Sequence, residues 1–244
     1  MQDDTIKINT LNESRLHKTL KKLYALEHSG KTEVKEGPYI ADIECPGKKI
    51  IEIQTSTLAS LAKKTEYFLK NGFSVKIVYP LPEEKVIVTL NSDGSKLSRR
   101  KSPLKKNLIS VFRELTALTD FLTEKKFSLD VLHCSIVETR IKTENMVQSK
   151  NRRRRHLKDW VKTGKELSEI KKRTVFSGKT SYRKLIPFKK EELFTVKELT
   201  EAFIKNGFKC TAQETRLLLW VYEKISVTEK TELKKGKEKL YKVI

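Results

Sequence analysis

The chain has 244 residues, 37% hydrophobic, 8% aromatic and 34% charged, which allows a folded core beneath a densely charged surface. Lysine and arginine outnumber aspartate and glutamate by 52 to 31, a net charge of +21. This excess favours a polyanionic partner, because phosphates neutralised by Lys or Arg release their counterions; a protein that is merely basic is the alternative. No apolar stretch is long enough to span a membrane, and the first ten residues lack a signal-peptide pattern, so neither membrane insertion nor secretion is predicted.

The cysteines and histidines predict no metal cluster of the zinc type. Cys45, Cys134 and Cys210 are far apart and odd in number, form no CxxC pair, and are accompanied by four scattered histidines. We therefore expect free thiols in a reducing compartment, most simply the cytoplasm.

In chain order, the first half of the sequence alternates between helical and strand patterns. Asn12 can cap a helix whose apolar residues Leu16, Leu20, Leu23 and Tyr24 recur at helical spacing. Further helices are predicted at about 58–71, stopped by Gly72, and at about 107–124. Strands are predicted at 32–35, 39–44, 49–54, 74–79, 86–90 and 129–137, with Pro80 and Pro82 separating two of them.

The second half is more basic and has a different order of elements. Between 151 and 190 there are 15 Lys or Arg against 3 acidic residues, a net +12. We interpret 151–178 as a basic linker or helix. Helices at 179–185, 194–205 and 211–225, followed by strands at 227–232 and 239–244 around a Lys-Lys-Gly-Lys turn, have the order of a winged helix over 179–244.

The hairpin at 39–54 brings acidic side chains onto one face. If Ile43 pairs with Ile51, the apolar residues Ala41, Ile43, Ile51 and Ile53 share one face and Pro46-Gly47-Lys48 forms a three-residue loop. The other face then presents Asp42 opposite Glu52, with Gln54 beyond. Two close carboxylates suit Mg²⁺ or Mn²⁺, which can activate water and stabilise charge on a phosphodiester. A solvated acidic strand face is the alternative.

Asp42 followed by Glu52-Ile53-Gln54, an amphipathic helix and a strand resembles the PD-(D/E)XK nuclease superfamily, in its Glu-x-Gln variant. The resemblance implies a restriction-endonuclease-like mixed sheet flanked by helices over 1–150. It also implies that Asp42 and Glu52 bind the metal and that Glu13 joins them from the first helix. Gln54 stands where the superfamily usually has Lys; it can orient a water but supplies no charge. Lys63 or Lys64 on the next helix is a further source of that charge.

Three segments also resemble, together, a group of uncharacterised bacterial proteins. They are Glu52-Ile53-Gln54-Thr55, Ser98-Arg99-Arg100-Lys101-Ser102-Pro103 and the arginine run 152–155. In that group a nuclease-like half precedes a winged-helix-like tail. The resemblance therefore implies an α/β (mixed α+β) fold with a small winged-helix domain after it.

Several basic and polar residues are candidates for nucleic-acid contact. They are Arg99, Arg100, Lys101, Arg152, Arg153, Arg154 and Arg155 in the basic segments, Gln213 and Arg216 on the second tail helix, and Lys234, Lys235 and Lys237 in the tail turn. An exposed loop or a solvated linker is the alternative for the first seven. The apolar residues Leu217, Leu218, Trp220, Val221 and Ile225 are expected in the tail's core.

The sequence thus predicts a Mg²⁺-dependent endonuclease that hydrolyses phosphodiester bonds of double-stranded DNA. Asp42, Glu52, Gln54 and Glu13 are its predicted catalytic residues. The alternative is a non-enzymatic DNA-binding protein, regulatory or architectural, that keeps a degenerate nuclease fold. No membrane partner is expected, and RNA as ligand and a homodimer both stay open.

Overall fold

A computed structural model describes residues 14–103, 106–149, 152 and 154–244. The fold is of the expected mixed α/β class, a large mixed sheet flanked by helices. The helices are α1 (Arg15–Glu27), α2 (Ala62–Lys70), α3 (Phe112–Leu115), α4 (Gly178–Arg183), α5 (Val196–Lys205) and α6 (Ala212–Lys224). The strands are β1 (Lys31–Glu36), β2 (Tyr39–Cys45), β3 (Lys49–Ile53), β4 (Ser74–Leu90), β5 (Lys96–Lys101), β6 (Phe127–Val147), β7 (Lys158–Phe176), β8 (Leu193–Phe194), β9 (Thr228–Lys235) and β10 (Glu238–Val243).

The large sheet has the strand order β1-β2-β3-β4-β6-β7, and β5 adds to the far part of β4. β3, β4 and β6 run parallel, whereas the pairs β1–β2, β2–β3, β4–β5 and β6–β7 are antiparallel. One buried cluster joins the sheet to α1 through Leu16, Leu20 and Tyr24. A second cluster joins it to α2, α3 and the C-terminal helices. The sheet therefore has an apolar layer on each face, as parallel strands require.

The register predicted for the β2–β3 hairpin is confirmed. Ile43 pairs with Ile51, and residues 46–48 form the loop. Ile43, Ile51 and Ile53 pack together against α1, but Ala41 joins the second cluster, so the expectation of one shared apolar face was wrong for Ala41. Among the described residues the β2–β3 ladder ends at the Ile43–Ile51 pair, so no ladder hydrogen bond holds Ala41 opposite Ile53.

The predicted helices differ from the observed ones mainly at their ends. Ser14, rather than Asn12, is the N-cap of α1, and its side chain accepts from the His17 amide. α2 ends before Gly72, whose φ of +84° suits glycine. The helix expected over 107–124 shortens to a 3₁₀ turn at Leu108–Val111 and the four residues of α3. After α3 the chain forms a series of turns in which a backbone amide donates to the carbonyl three residues earlier, such as Leu118 N to Leu115 O at 2.9 Å.

The two strands expected on either side of Pro80 and Pro82 are one strand, β4. β4 pairs with β6 along almost its whole length, but on its other edge β3 pairs only as far as Val78 and β5 begins at Val86. Val78 faces β3, because its carbonyl accepts from Gln54 N at 2.9 Å. By alternation both prolines face the open stretch between β3 and β5, where a missing N–H breaks no ladder bond.

The segment 151–178, expected to be a basic linker or helix, is largely strand. β7 covers Lys158–Phe176 and pairs with β6 from Val147–Lys158 to Leu129–Phe176. Most of its Lys and Arg side chains are exposed. The large sheet therefore continues to Phe176, past the boundary that the sequence predicts near residue 150.

The C-terminal part contains the helix, helix and hairpin order that the sequence predicts. α4, β8, α5 and α6 are followed by the β9–β10 hairpin, and β8 pairs with β10 to complete a small sheet. Its core is continuous with that of the large sheet. The Phe112 and Tyr222 rings lie 5.2 Å apart, and Phe176 stacks on Tyr182 at 4.7 Å. Its assignment as a winged helix stays a prediction.

Candidate functional site

The candidate site lies where the β2–β3 ladder ends. Asp42 and Glu52 lie one position beyond the Ile43–Ile51 pair, which is the last pair of the ladder. Each carboxylate accepts a hydrogen bond from a backbone amide of the opposite strand. Ile53 N donates to Asp42 Oδ2 at 2.8 Å, and Asp42 N donates to Glu52 Oε1 at 3.2 Å. These bonds bring the two predicted carboxylates together at the end of the hairpin.

Two side chains from the flanking helices complete the group. Lys64 of α2 places Nζ 2.6 Å from Glu52 Oε2, with the Glu52 side chain 3% exposed. His17 of α1 places Nε2 3.3 Å from Asp42 Oδ2. The sequence suggested Lys64 only as one of two lysines, and His17 was missed. Four residues after Glu13 and one turn into α1, His17 could have been found by its helical spacing.

The two carboxyl groups are pushed to different pKa values. Burial, followed by the negative charge of Asp42, raises the pKa of Glu52 to about 7, although Lys64 opposes the rise. Burial also tends to raise the pKa of Asp42, but His17, the Ile53 amide and Lys64 outweigh it and lower that pKa. Glu52 therefore takes a proton near neutral pH more readily than an ordinary glutamate, and Asp42 stays ionised.

Gln54 does not join this group. Its Nε2 donates to Ser60 Oγ at 2.6 Å, and its Oε1 accepts from Ser56 Oγ at 3.0 Å. The amide is thus held in the connection between β3 and α2 rather than against the carboxylates. The backbone of Gln54 still continues the pairing of β3, because Gln54 N donates to Val78 O at 2.9 Å. Its partner Ser60 precedes Lys64, the partner of Glu52, by four positions, about one helical turn. Glu13 lies outside the described residues.

Within the described part of the chain, no three His, Cys, Asp or Glu side chains are grouped so as to hold a metal ion. Asp42 and Glu52 offer carboxylate oxygens alone. An oxygen donor set of this kind suits a hard cation that keeps several waters, as Mg²⁺ does.

The basic residues expected to contact nucleic acid lie in several places. Arg99, Arg100 and Lys101, for which an exposed loop was the alternative, lie on the strand β5, all of whose residues are exposed. Arg152 and Arg155 are exposed, and Arg153 lies outside the described residues. Arg154 stacks on the Trp160 ring, 4.0 Å from its centroid, and donates to Val147 O and Trp160 O. Arg154 therefore braces the ends of β6 and β7.

In the C-terminal part, one face of α6 is open. Gln213 and Arg216 are exposed as predicted, and Trp220, expected in the core, is 43% exposed beside them. The spacing explains the difference: positions 213, 216, 220 and 224 share one face, whereas Leu218 and Val221 point into the core. In the β9–β10 turn Lys234 and Lys237 are exposed, but Lys235 Nζ lies 2.6 Å from Glu198.

Fold and site together define a mixed α/β protein with one buried and one partly buried carboxylate, Glu52 and Asp42, at the end of a hairpin. The chain belongs to the family described as "Domain of unknown function (DUF8091)", whose model matches residues 14–177. The matched region ends one residue after β7. The chain is also 30% identical over 196 residues to an "Uncharacterized protein" of Treponema pallidum (strain Nichols), covering 80% of this chain and 74% of that protein. No solved structure matches the present chain. Among the described residues, no helix has the length and apolar character needed to cross a membrane.

Proposed function

We propose that this protein is a Mg²⁺-dependent DNA endonuclease whose active site is centred on Asp42 and Glu52. The observation that carries the proposal is the pair formed by buried Glu52 and partly buried Asp42, with the Lys64 ammonium 2.6 Å from Glu52. A nuclease of the PD-(D/E)XK kind uses this combination of two acidic residues and one cation. Here the cation comes from α2 instead of from position 54.

The two carboxylates fit a divalent cation on chemical grounds. The charge of Asp42 raises the pKa of Glu52, which means that the two anions repel one another in the folded protein. A bound Mg²⁺ would relieve that repulsion, and Asp42 and Glu52 would hold it, with Glu13 as the proposed third ligand. Bound there, Mg²⁺ would supply an activated water and offset charge on the phosphodiester.

The chain's own groups have separate roles in this proposal. Lys64 stabilises the ionised form of Glu52 through its hydrogen bond to Oε2. In this proposal the same ammonium would also contact a phosphate oxygen of the DNA. His17 holds the Asp42 carboxylate through its Nε2. Gln54, which is hydrogen-bonded to Ser56 and Ser60 in the β3–α2 connection, would orient the attacking water.

DNA would reach the site through the basic surfaces. The exposed face of α6 offers Gln213 and Arg216, which are usual readers of base edges. Lys234 and Lys237 in the β9–β10 turn, and Arg99 and Arg100 on β5, would contact phosphates. In this proposal the C-terminal part acts as a winged helix, and the cytoplasm is the expected compartment.

The test is nicking of supercoiled plasmid in Mg²⁺, Mn²⁺ or EDTA. We expect cleavage that needs the metal and is lost in Asp42→Ala and in Glu52→Gln. Glu44→Gln is the matched control, since it removes an acid from the same hairpin. Equal cleavage by the wild type and Glu52→Gln would refute the proposal.

A second function is favoured by the position of Gln54. With the amide tied to Ser60, the protein would be a non-enzymatic DNA-binding protein, regulatory or architectural, that keeps the fold without turnover. Thermal unfolding with and without Mg²⁺ separates the two functions. A stabilisation that Glu52→Gln abolishes supports the metal site. No stabilisation, combined with salt-sensitive DNA binding, selects the non-enzymatic function.

A further inference from the structure

A second group of charged residues surrounds a cavity beside the carboxylate site. The cavity has a volume of about 260 Å³ and includes Leu16 and Thr55 in its lining. Leu16 adjoins His17 in the chain, and Thr55 follows Glu52 by three positions. Pro80 and Pro82 also line it, so the cavity lies on the open stretch of β4 between β3 and β5.

The lining of this cavity is strongly basic. Four lysines, Lys85, Lys106, Lys162 and Lys165, line it together with a single carboxylate, Glu138. Glu138 is 5% exposed and already well paired. Arg140 Nε donates to it at 2.8 Å, and Lys85 Nζ lies 3.5 Å away.

The main partner of Glu138 is Arg140, which does not line the cavity. The Arg140 guanidinium that binds Glu138 is stacked on Trp160, 3.7 Å from the ring centroid. The Arg154 guanidinium lies 4.0 Å from the centroid of the same ring. Lys162 Nζ is 3.7 Å from Glu138, too far for a hydrogen bond. Glu138 is therefore largely neutralised before Lys162 and Lys165 are considered.

Lys165 has two cationic neighbours, Lys162 and Lys106, and one anionic neighbour, Glu138. Among the described residues no carboxylate forms an ion pair with Lys165. Burial, followed by the positive charge of Lys162, lowers its pKa to about 8. Two neighbouring ammonium groups in a partly buried cavity are an unfavourable arrangement for the empty protein, and an anion would relieve it.

We propose that this cavity binds a phosphate dianion, with Lys165 and Lys162 as its main ligands. A dianion matches the two adjacent ammonium groups, whereas an internal phosphodiester carries only one charge. The volume is below the roughly 300–1,000 Å³ of pockets for larger ligands and suits a compact head group. Lysine serves as a point-charge ligand for phosphate.

Such a dianion has two sources, a phosphate ion and the terminal phosphate monoester of a nucleic-acid strand. The position of the cavity beside Asp42 and Glu52 favours the strand end, because a strand held there would pass the carboxylates. Binding does not depend on the proposed cleavage, so it is measured in EDTA and stands or falls on its own.

The experiment compares 5′-phosphorylated, 3′-phosphorylated and unphosphorylated forms of one fluorescent oligonucleotide at constant ionic strength. In parallel, inorganic phosphate is tested for its effect on thermal unfolding. We expect at least about tenfold tighter binding of one phosphorylated form, the effect of one charged hydrogen bond. Lys165→Met should abolish this preference, and Lys165→Arg should retain part of it.

Lys172→Met is the matched control, since it removes the same charge from the same strand away from the cavity. If Lys165→Met fails to fold, Lys162→Met, at a more exposed position, provides the same test. Stabilisation by inorganic phosphate that is lost in Lys165→Met, without an oligonucleotide preference, would support the site and assign it to the free ion. No preference and no stabilisation in the wild type, or effects unchanged in Lys165→Met, would overturn the proposal.

Discussion

Replacement of Glu52 by Gln tests the electrostatics of the carboxylate pair directly. Burial and the charge of Asp42 raise the pKa of Glu52 from 4.5 to about 7 in the folded protein. The folded state thus binds this proton more tightly than the unfolded state. The resulting stabilisation is complete below pH 4.5 and is lost as the pH rises through 7. At about 1.4 kcal/mol per pH unit, the loss is about 3 kcal/mol, and it already includes the attraction of Lys64.

Glu52→Gln keeps the shape of the side chain but cannot ionise. We therefore expect the metal-free variant to be about 3 kcal/mol more stable than the wild type at pH 8. The two should converge near pH 4.5. Asp42, with its lowered pKa, contributes stability that is lost only as the pH falls below its ordinary range, outside this window. Urea unfolding followed by tryptophan fluorescence, at several pH values in EDTA, measures the difference.

Glu44→Gln controls for the loss of a charge from the same hairpin and should follow the wild type between pH 4.5 and 8. The reasoning would be refuted if the free energy of unfolding of Glu52→Gln changed with pH in parallel with that of the wild type. It would also be refuted if the variant were less stable than the wild type at pH 8. Mg²⁺ should then narrow the gap at pH 8 by stabilising the wild type alone.

Three further changes have defined outcomes. Lys64→Met leaves Glu52 without its ammonium and should lower the free energy of unfolding by about 1–3 kcal/mol at pH 8, with a smaller effect at pH 5, in the same urea titrations. Tyr24→Phe removes a hydroxyl that donates to buried Asp130 at 2.6 Å; it should cost about 1–3 kcal/mol in thermal unfolding, and an unchanged Tm would contradict this role. Lys237→Gln should reduce the salt slope of DNA binding by about 0.9 in an anisotropy series, and an unchanged slope would contradict a phosphate contact at this lysine.

The hairpin was predictable from sequence because local patterns determine it. Alternation of apolar and acidic residues around a short glycine-containing loop leaves one register that buries the isoleucines, and Ile43 pairs with Ile51 accordingly. Gln54 continues the backbone pairing with Val78, but its side chain binds Ser56 and Ser60, contacts that depend on the course of the chain after β3. The contact of Lys64 with Glu52 depends on how α2 packs, which a local pattern does not determine.

β7 was missed for a related reason. A segment with few apolar residues and many lysines carries little strand periodicity, and its charge pattern is typical of a linker. Pairing with β6 supplies its hydrogen bonds, so the segment forms a strand without burying a continuous apolar face. The Glu138 group was unpredictable for the same reason: Lys85, Glu138 and Lys162 come from three strands that only the long-range pairing brings together.

Both candidate sites follow from one feature of the sheet, the open edge of β4. β3 stops after Ile53, and among the described residues no strand pairs with that side of β4 between Val78 and Val86. At the start of this opening, the end of the β2–β3 ladder leaves amides for Asp42 and Glu52 to accept from. Farther along, the missing strand leaves space for the cavity lined by Lys85, Lys162 and Lys165. The prolines that face the opening have no N–H to donate to an added strand, which disfavours the pairing of another strand there.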